Sequence, residues 1–365
     1  MENNKNQGLV WLIFSNLLAF VTGVLYVLIN FGIWSEGESL QRSVLFNLSA
    51  VSSLFMFLFI ADKLVHIFSP KLSVLISIIT FGATGLFSSI YFEDLSKYYI
   101  LIGVLMGMSY SIRMTAFPIV DQAVTNKDTR VKFSSYLTIL SSILSIAAPI
   151  TIEFLVNSFD YKRSLLIVSL TYILFGIGIM FFKISSLKQD NALFLLLKNS
   201  KRDDKLKHVA LISLSLGIAY SVDWGLIDIL IITKLGSLND WRNIKVLIAV
   251  INIIYSFVLG KINLKKFSHI RVIIGVSALA YSTLPIMLIK NFNNMTFIVF
   301  SIAQVIFYST VSILLSNYLL AVIDDDERYD NRIASYQVFR NLFIGGGRVI
   351  PLGVMGALSI VSFSR

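Results

Sequence analysis

The sequence contains no cysteine, which excludes disulfides, thiolate metal ligands and cysteine nucleophiles. Its three histidines, His66, His208 and His269, all fall near the ends of apolar runs. A buried histidine metal centre is therefore not expected, nor is a nucleophile–His–acid arrangement, and no cofactor or enzymatic activity is indicated. The triplet Gly345-Gly346-Gly347 is not followed by Gly-Lys-Ser/Thr and not preceded by a strand pattern, so a phosphate loop and ATP-driven work are unsupported. Charge is scarce as well: 14% of residues are charged, against about a quarter in soluble domains. What fills the gap is apolar, with 56% hydrophobic side chains and a mean hydropathy of +0.78. Long apolar runs recur from end to end, and short alternating segments of the β-barrel kind do not. An all-α polytopic membrane protein is the class that fits.

The runs place spans at roughly 8–33, 43–61, 72–92, 98–120, 133–157 and 164–182, then at 208–233, 244–260, 271–289, 296–322 and 333–360. That is about eleven helices, each near the ~20 residues that a bilayer requires. The first run is long and lacks a small-residue cleavage site, so it reads as a span rather than a removable signal. With the N-terminus in the cytoplasm, the inside segments hold 19 Lys and Arg and the outside segments 9. That bias favours a cytoplasmic N-terminus in a cell (plasma) membrane. The net charge of +10 is then explained by cytoplasmic loops facing anionic lipid, and no nucleic-acid partner is expected.

Residues 183–207 form the most basic inter-span segment and divide the chain into a six-helix set, 1–182, and a set of about five helices, 208–365. The middle of this linker, Ala192 to Leu197, is too short to span and is flanked by charge, so it is expected to lie along the membrane surface. One sequence frame occurs in both sets. Arg332 to Pro351 opens on a charge, passes a small and polar cluster with Tyr336, and runs apolar to proline. Arg130 to Pro149 repeats that frame with the same Arg-to-Pro spacing around Ser134, Ser135 and Tyr136. A helix written once per half predicts two similar bundles.

The six-plus-five pattern, the basic central linker and the repeated frame make the chain similar to the major facilitator superfamily (MFS) of transporters. A local signature lies between spans 2 and 3, where the family reads roughly Gly-x-x-x-Asp-Arg/Lys-x-Gly-Arg-Arg/Lys. Here Asp62 and Lys63 match, whereas Leu58, Val65, His66 and Ile67 depart. The resemblance implies that Asp62, with Lys63, forms a cytoplasmic latch against the start of helix 11. A carboxylate beside a helix N-terminus gains from its free amides and dipole. The family's Gly-Pro signature in helix 5 is matched by Ala147-Ala148-Pro149, without the glycines. The resemblance also implies a twelfth helix, and the residues after Arg332 hold one span only.

Ionisable residues inside the spans are expensive and mark functional sites by default. They are Arg113, Glu153, Asp223, Asp228, Arg340 and Arg348. Glu153 and Asp228 fall near the outer interface, where a snorkelling charge is cheap. At ~1.5 Å per residue, Asp223 stands about 22 Å beyond His208 and Arg348 about 24 Å beyond Arg332, so the two are level. Asp223 is either a proton carrier or one half of a structural ion pair with Arg348. Candidates to line a substrate cavity are Asn16, Arg113, Tyr220, Trp224, Gln304 and Arg340. The resemblance implies a secondary active transporter that moves a small solute by alternating access, driven by protons. A different class remains open: a non-transporting scaffold, sensor or immunity protein on the same fold.

Overall fold

The structure is a computed structural model that describes residues 2–35, 39–124, 127–182, 192–223, 238–261, 295–296, 298–307, 310 and 332–363. Among these residues it is helical, with no strand. The helices are α1 (Glu2–Ser35), α2 (Leu40–Ile67), α3 (Pro70–Ile90), α4 (Leu95–Ala123) and α5 (Lys127–Gly178). They continue with α6 (Leu193–Asn199), α7 (Asp204–Asp223), α8 (Leu238–Lys261), α9 (Ile298–Phe307) and α10 (Ile333–Phe363). Among the described residues, five stretches are long and apolar enough to cross a membrane: Gly8–Ser35, Leu40–Ile67, Pro70–Ile90, Phe92–Asp121 and Leu140–Phe181. The span expected at 271–289 and the second half of that at 296–322 lie outside the described residues.

The boundaries follow local chemistry. Ser39 caps α2 by accepting from the Arg42 amide, and Ser69 caps α3 by accepting from Leu72 N–H at 3.2 Å, with Pro70 at the first helical position. α2 therefore runs on through Asp62 and Lys63 to Ile67, where the sequence pattern suggested a loop from residue 62. Nothing between Ala61 and Ile67 breaks a helix, and the charges of Asp62 and Lys63 do not end one. α5 covers the span expected at 133–157 and most of that at 164–182, joined at Asp160, whose backbone is left-handed in φ (66°). The Asp160 carboxylate accepts from Arg163 N–H at 2.9 Å and so caps the second half. A straight helix of 52 residues would extend ~78 Å, far beyond a ~30 Å hydrocarbon core, so the interruption is a physical requirement.

Packing depends on small residues at crossing points. A Cβ on Gly103 or Gly107 of α4 would collide with the α2 backbone at Phe46 and Ala50. Gly82 and Gly85 of α3 face Ile173 and Ser169 of α5, and Gly217 of α7 meets Gly347 and Ile344 of α10. Buried hydroxyls mostly donate to the carbonyl one turn back in their own helix, as Thr22, Thr84, Ser88, Thr115 and Ser169 do. That is how a polar group survives where water is absent. The buried core includes Trp11, Phe31, Phe46, Phe81, Tyr172, Trp241 and Phe339, while Met56, Ile90, Phe154 and Leu174 point outward. Large apolar side chains on the outside suit a lipid-facing surface.

Early helices also pack on late ones. α2 lies against α10 in an antiparallel register: Phe55 sits at Gly345 and Gly346, Val51 clusters with Leu352, and Leu48 sits at Gly356. α5 lies against α8. In the linker, Leu193 and Leu196 of α6 are buried while Phe194 and Leu195 are exposed, and the Ala192 amide donates to Ser335 Oγ on α10 at 3.0 Å.

Candidate functional site

Three places on this framework hold polar side chains that a membrane interior would otherwise reject. The first is centred on Arg113 of α4. Tyr110 and Phe117 stand three before and four after it, which puts all three on neighbouring turns of one face. The Arg113 guanidinium carbon lies 4.4 Å from the Tyr110 ring centroid and 5.9 Å from that of Phe117. Its Nη1 donates to the Thr22 hydroxyl of α1 and, at 3.2 Å, to the Tyr172 hydroxyl of α5. Thr22 Oγ1 is itself 3.1 Å from the Tyr172 hydroxyl. Thr22 falls at the middle of the Gly8–Ser35 span, so this cation is level with the middle of α1.

The second place is the crossing of α7 and α10. Gly217 and Gly347 bring the two backbones into contact, so the glycine triplet serves close packing inside a continuous helix. Arg348, 8% exposed, holds its guanidinium carbon 5.0 Å from the Tyr220 ring centroid. Arg340 lies two turns earlier on α10, with Nη2 3.4 Å from Asn341 Oδ1 and a buried Nε that meets no acceptor. Asp223 ends α7 one turn beyond Tyr220, but its side chain, together with Trp224 and Asp228, lies outside the described residues.

The third place is at the ends of the helices. Asp62 is 2% exposed, with Oδ1 3.6 Å from His66 Nε2 one turn on, while Lys63 points to solvent. By the antiparallel α2–α10 register, Asp62 falls beside the first two turns of α10. At the other face, Arg242 of α8 donates to Glu153 of α5 at 2.5 Å, and Asn239 and Asn243 hold the same guanidinium. Glu153 is thus engaged in an ion pair, where the sequence suggested a snorkelling charge. Beside it, Phe31 of α1 and the buried Trp241 of α8 meet edge to face at 5.3 Å.

The remaining candidates divide. Gln304 is buried in α9. Asn16 is buried too, but its amide donates to Leu12 O of its own helix at 2.8 Å, which leaves less of it for a ligand. Sequence reasoning missed Asp121, whose Oδ1 accepts from the indole N–H of the fully buried Trp11 at 2.6 Å. Phe14, Phe117 and Phe182 pack around that indole with ring centroids 5.3–5.6 Å away. The run Asp121-Gln122-Ala123-Val124-Thr125-Asn126 looks like loop. A tryptophan near a membrane face, needing a partner for its N–H, was the available signal.

Long apolar helices, packed early on late with ionisable side chains held between them, form the fold of a multi-pass membrane transporter. The match to the family model described as Major Facilitator Superfamily runs over residues 8–350, and the chain belongs to that family. Among solved structures, the fold is similar to a D-xylose–proton symporter (TM-score 0.60, 12% identity, 96% of each chain). It is also similar to a bacterial homologue of the human lysosomal transporter Spinster in an inward-facing, unoccupied conformation (TM-score 0.64, 11% identity, 96% of this chain and 81% of that one). A third is the nucleoside transporter NupG (TM-score 0.61, 12% identity, 92% and 91%). At these identities the likeness shows the fold alone. A curated relative, the uncharacterized protein YqgE of Bacillus subtilis (strain 168), is 23% identical over 177 residues, 48% of this chain and 41% of its own length. The match spans well under half of that relative. Membership of that family points to a transporter rather than an enzyme.

Proposed function

We propose that the chain is a secondary active transporter that moves a small solute across the cell membrane by alternating access. Two helix sets, 1–182 and 208–365, rock about a central site, with the basic segment 183–207 between them and the N-terminus in the cytoplasm. The observation that carries the reading is the pair of interfaces between early and late helices, α2 on α10 and α5 on α8. If the second set repeats the first, α8 is the counterpart of α2 and α10 that of α5. Exchanging the sets then maps one interface onto the other, which supports the two-bundle division and the pairing of Pro149 with Pro351.

The driving force we assign is a proton gradient, with Asp223 as carrier and Arg348 as its counter-charge. Arg348 is buried on Tyr220, and Asp223 follows Tyr220 by one helical turn. A carboxylate there is penalised by desolvation and held by a facing arginine, so loading or unloading a proton shifts that balance. On the side away from the N-terminus, Arg242–Glu153 and Phe31–Trp241 hold the halves together. At the N-terminal side, Asp62 is proposed to latch α2 against α10.

Counterflow in proteoliposomes, with a panel of radiolabelled metabolites, tests the reading. Exchange of any solute without a gradient, and accumulation of the same solute under an imposed proton gradient, is the expected result. A reconstituted, folded protein that exchanges nothing would favour the scaffold or sensor reading.

A further inference from the structure

We propose that the linker helix α6 is a docking surface for anionic phospholipid, formed by an outward face of Phe194, Leu195 and Lys198 and by the cations that follow it. The proposal does not depend on the transport reading, since a scaffold on the same fold would carry the same surface.

The face follows from helical spacing. At ~100° per residue, Leu193, Leu196 and Leu197 project to one side of α6, and Phe194, Leu195, Lys198 and Asn199 to the other. The first side is the packed one: Leu193 and Leu196 are buried in the apolar cluster that holds Leu206, Ile333 and Ala334. The second leaves Phe194 71% and Leu195 47% exposed, with Lys198 one turn on from Phe194 and exposed as well. Packing on α10 thus accounts for one side of a helix that is apolar on both. Adjacent phenylalanine and leucine side chains are unfavourable in water and suit the boundary between headgroups and acyl chains.

Depth and charge agree with that boundary. Before the linker, Phe181 ends the stretch Leu140–Phe181 that is long and apolar enough to cross a membrane, and its side chain is 84% exposed. At the start of α6 the Ala192 amide donates to Ser335 Oγ, on the third residue of α10, and α7 begins at Asp204, about a turn of chain after α6 ends. α6 is therefore held among helix ends, level with a membrane surface. Residues 192–207 hold Lys198, Lys201, Arg202, Lys205 and Lys207 against two acids, Asp203 and Asp204. Asp203 is already engaged, its Oδ1 accepting from the Lys205 amide at 2.8 Å at the start of α7. Lys198, Lys201 and Arg202 are exposed within one short stretch beside the apolar pair. Apolar insertion next to a basic cluster is the combination that holds a segment on an anionic leaflet. A zwitterionic surface would engage Phe194 and Leu195 and gain little from the cations.

The test uses the full-length chain in lipid nanodiscs, where the lack of native cysteine gives a single labelling site. Leu195→Cys carries an apolar, polarity-sensitive fluorophore. The discs run from pure phosphatidylcholine to mixtures rich in phosphatidylglycerol, with brominated acyl chains as quenchers. Quenching by bromolipid should rise saturably with the phosphatidylglycerol share, while quenching by aqueous acrylamide falls. Lys198→Gln with Lys201→Gln and Arg202→Gln should raise the share needed for half-maximal quenching severalfold, since each cation near an anionic surface contributes about fivefold in binding. Phe194→Ser should lower bromolipid quenching at every composition. The same label at Met56→Cys, which points outward from α2, and at the exposed Glu93→Cys sets the lipid and water limits. All the altered side chains are exposed, and the melting temperature in detergent checks that each variant is folded. Acrylamide quenching at the Glu93 limit in every lipid mixture would overturn the proposal and favour a water-facing surface that a protein covers. Bromolipid quenching equal in pure phosphatidylcholine and unmoved in the triple variant would also overturn it, leaving apolar contact without anion recognition.

Discussion

Arg242 of α8 and Glu153 of α5 meet at 2.5 Å across 89 residues of sequence, with 31% and 15% of their side chains exposed. The pair joins an early helix to a late one at the face away from the N-terminus, and Phe31 against Trp241 closes the space beside it. In an alternating-access cycle this contact must break each time that face opens. Its strength lies between that of an exposed pair and a buried one, roughly 1–2 kcal/mol for loss of one partner. Glu153→Gln should therefore shift the resting equilibrium toward opening at that face. The absence of native cysteine makes the readout direct: a cysteine placed at Gly32 should label several-fold faster in the Glu153→Gln background. Glu153→Arg with Arg242→Glu should restore the slow rate. Equal labelling in all three backgrounds would show that the pair does not hold the face shut.

Gly217 and Gly347 give a second prediction, about stability. A methyl group on either would run into backbone of the partner helix, Ile344 or Leu214, which cannot swing aside as a side-chain tip can. Gly347→Ala should cost about 1–3 kcal/mol through overpacking and lower the melting temperature in detergent. Gly23→Ala and Gly353→Ala are the controls. Their added Cβ would meet nothing within 4 Å, so alanine should be neutral or slightly stabilising through its better helix propensity. Similar losses at all four glycines would mean that close approach is not what the triplet provides.

Asp62 supplies the third. It is buried beside His66 at the end of α2, level with the second turn or so of α10. If it latches those helices at the N-terminal face, Asp62→Asn removes the charge while keeping the volume. The expected outcome is faster labelling of cysteines placed along α10 near Ser335, with labelling at Gly32 slowed. Unchanged rates at both faces would dismiss the latch.

The helical fold was readable because apolar runs of ~20 residues carry their own signal, and Pro70, Asp160 and Ser39 punctuate them in ways the sequence displays. The buried cations were readable for the opposite reason: Arg113, Arg340 and Arg348 interrupt runs that otherwise hold no charge. Pairings were not. Glu153 finds a partner 89 residues away and Trp11 one 110 residues away, and no local pattern encodes either contact. Asp62 and Asp121 show the second weakness. Each stands where polarity rises, just past an expected span end at 61 or 120, although helix continues through both. Charge marks a membrane face more faithfully than it marks the end of a helix.

The last prediction concerns Asp223 and Arg348. Arg348 is held 8% exposed against Tyr220, a costly position unless a negative charge is near for at least part of the cycle. Asp223, one turn past Tyr220 on the helix that Arg348 faces, is the acid proposed for that place. If it also carries the coupling proton, Asp223→Asn removes the titrating group. Accumulation driven by a proton gradient should then vanish, while solute exchange, which needs no net proton movement, should persist near the wild-type rate. If the acid is structural alone, the same substitution strands Arg348 as an unpaired buried cation. Folded protein in the membrane should then fall, and Asp223→Asn with Arg348→Gln should recover it, because removing both partners costs less than removing one. The two versions separate by whether exchange survives in the single variant. Both fail if Asp223→Asn leaves gradient-driven accumulation and folded yield unchanged, since an acid whose loss is felt in neither measurement neither carries the proton nor balances the arginine.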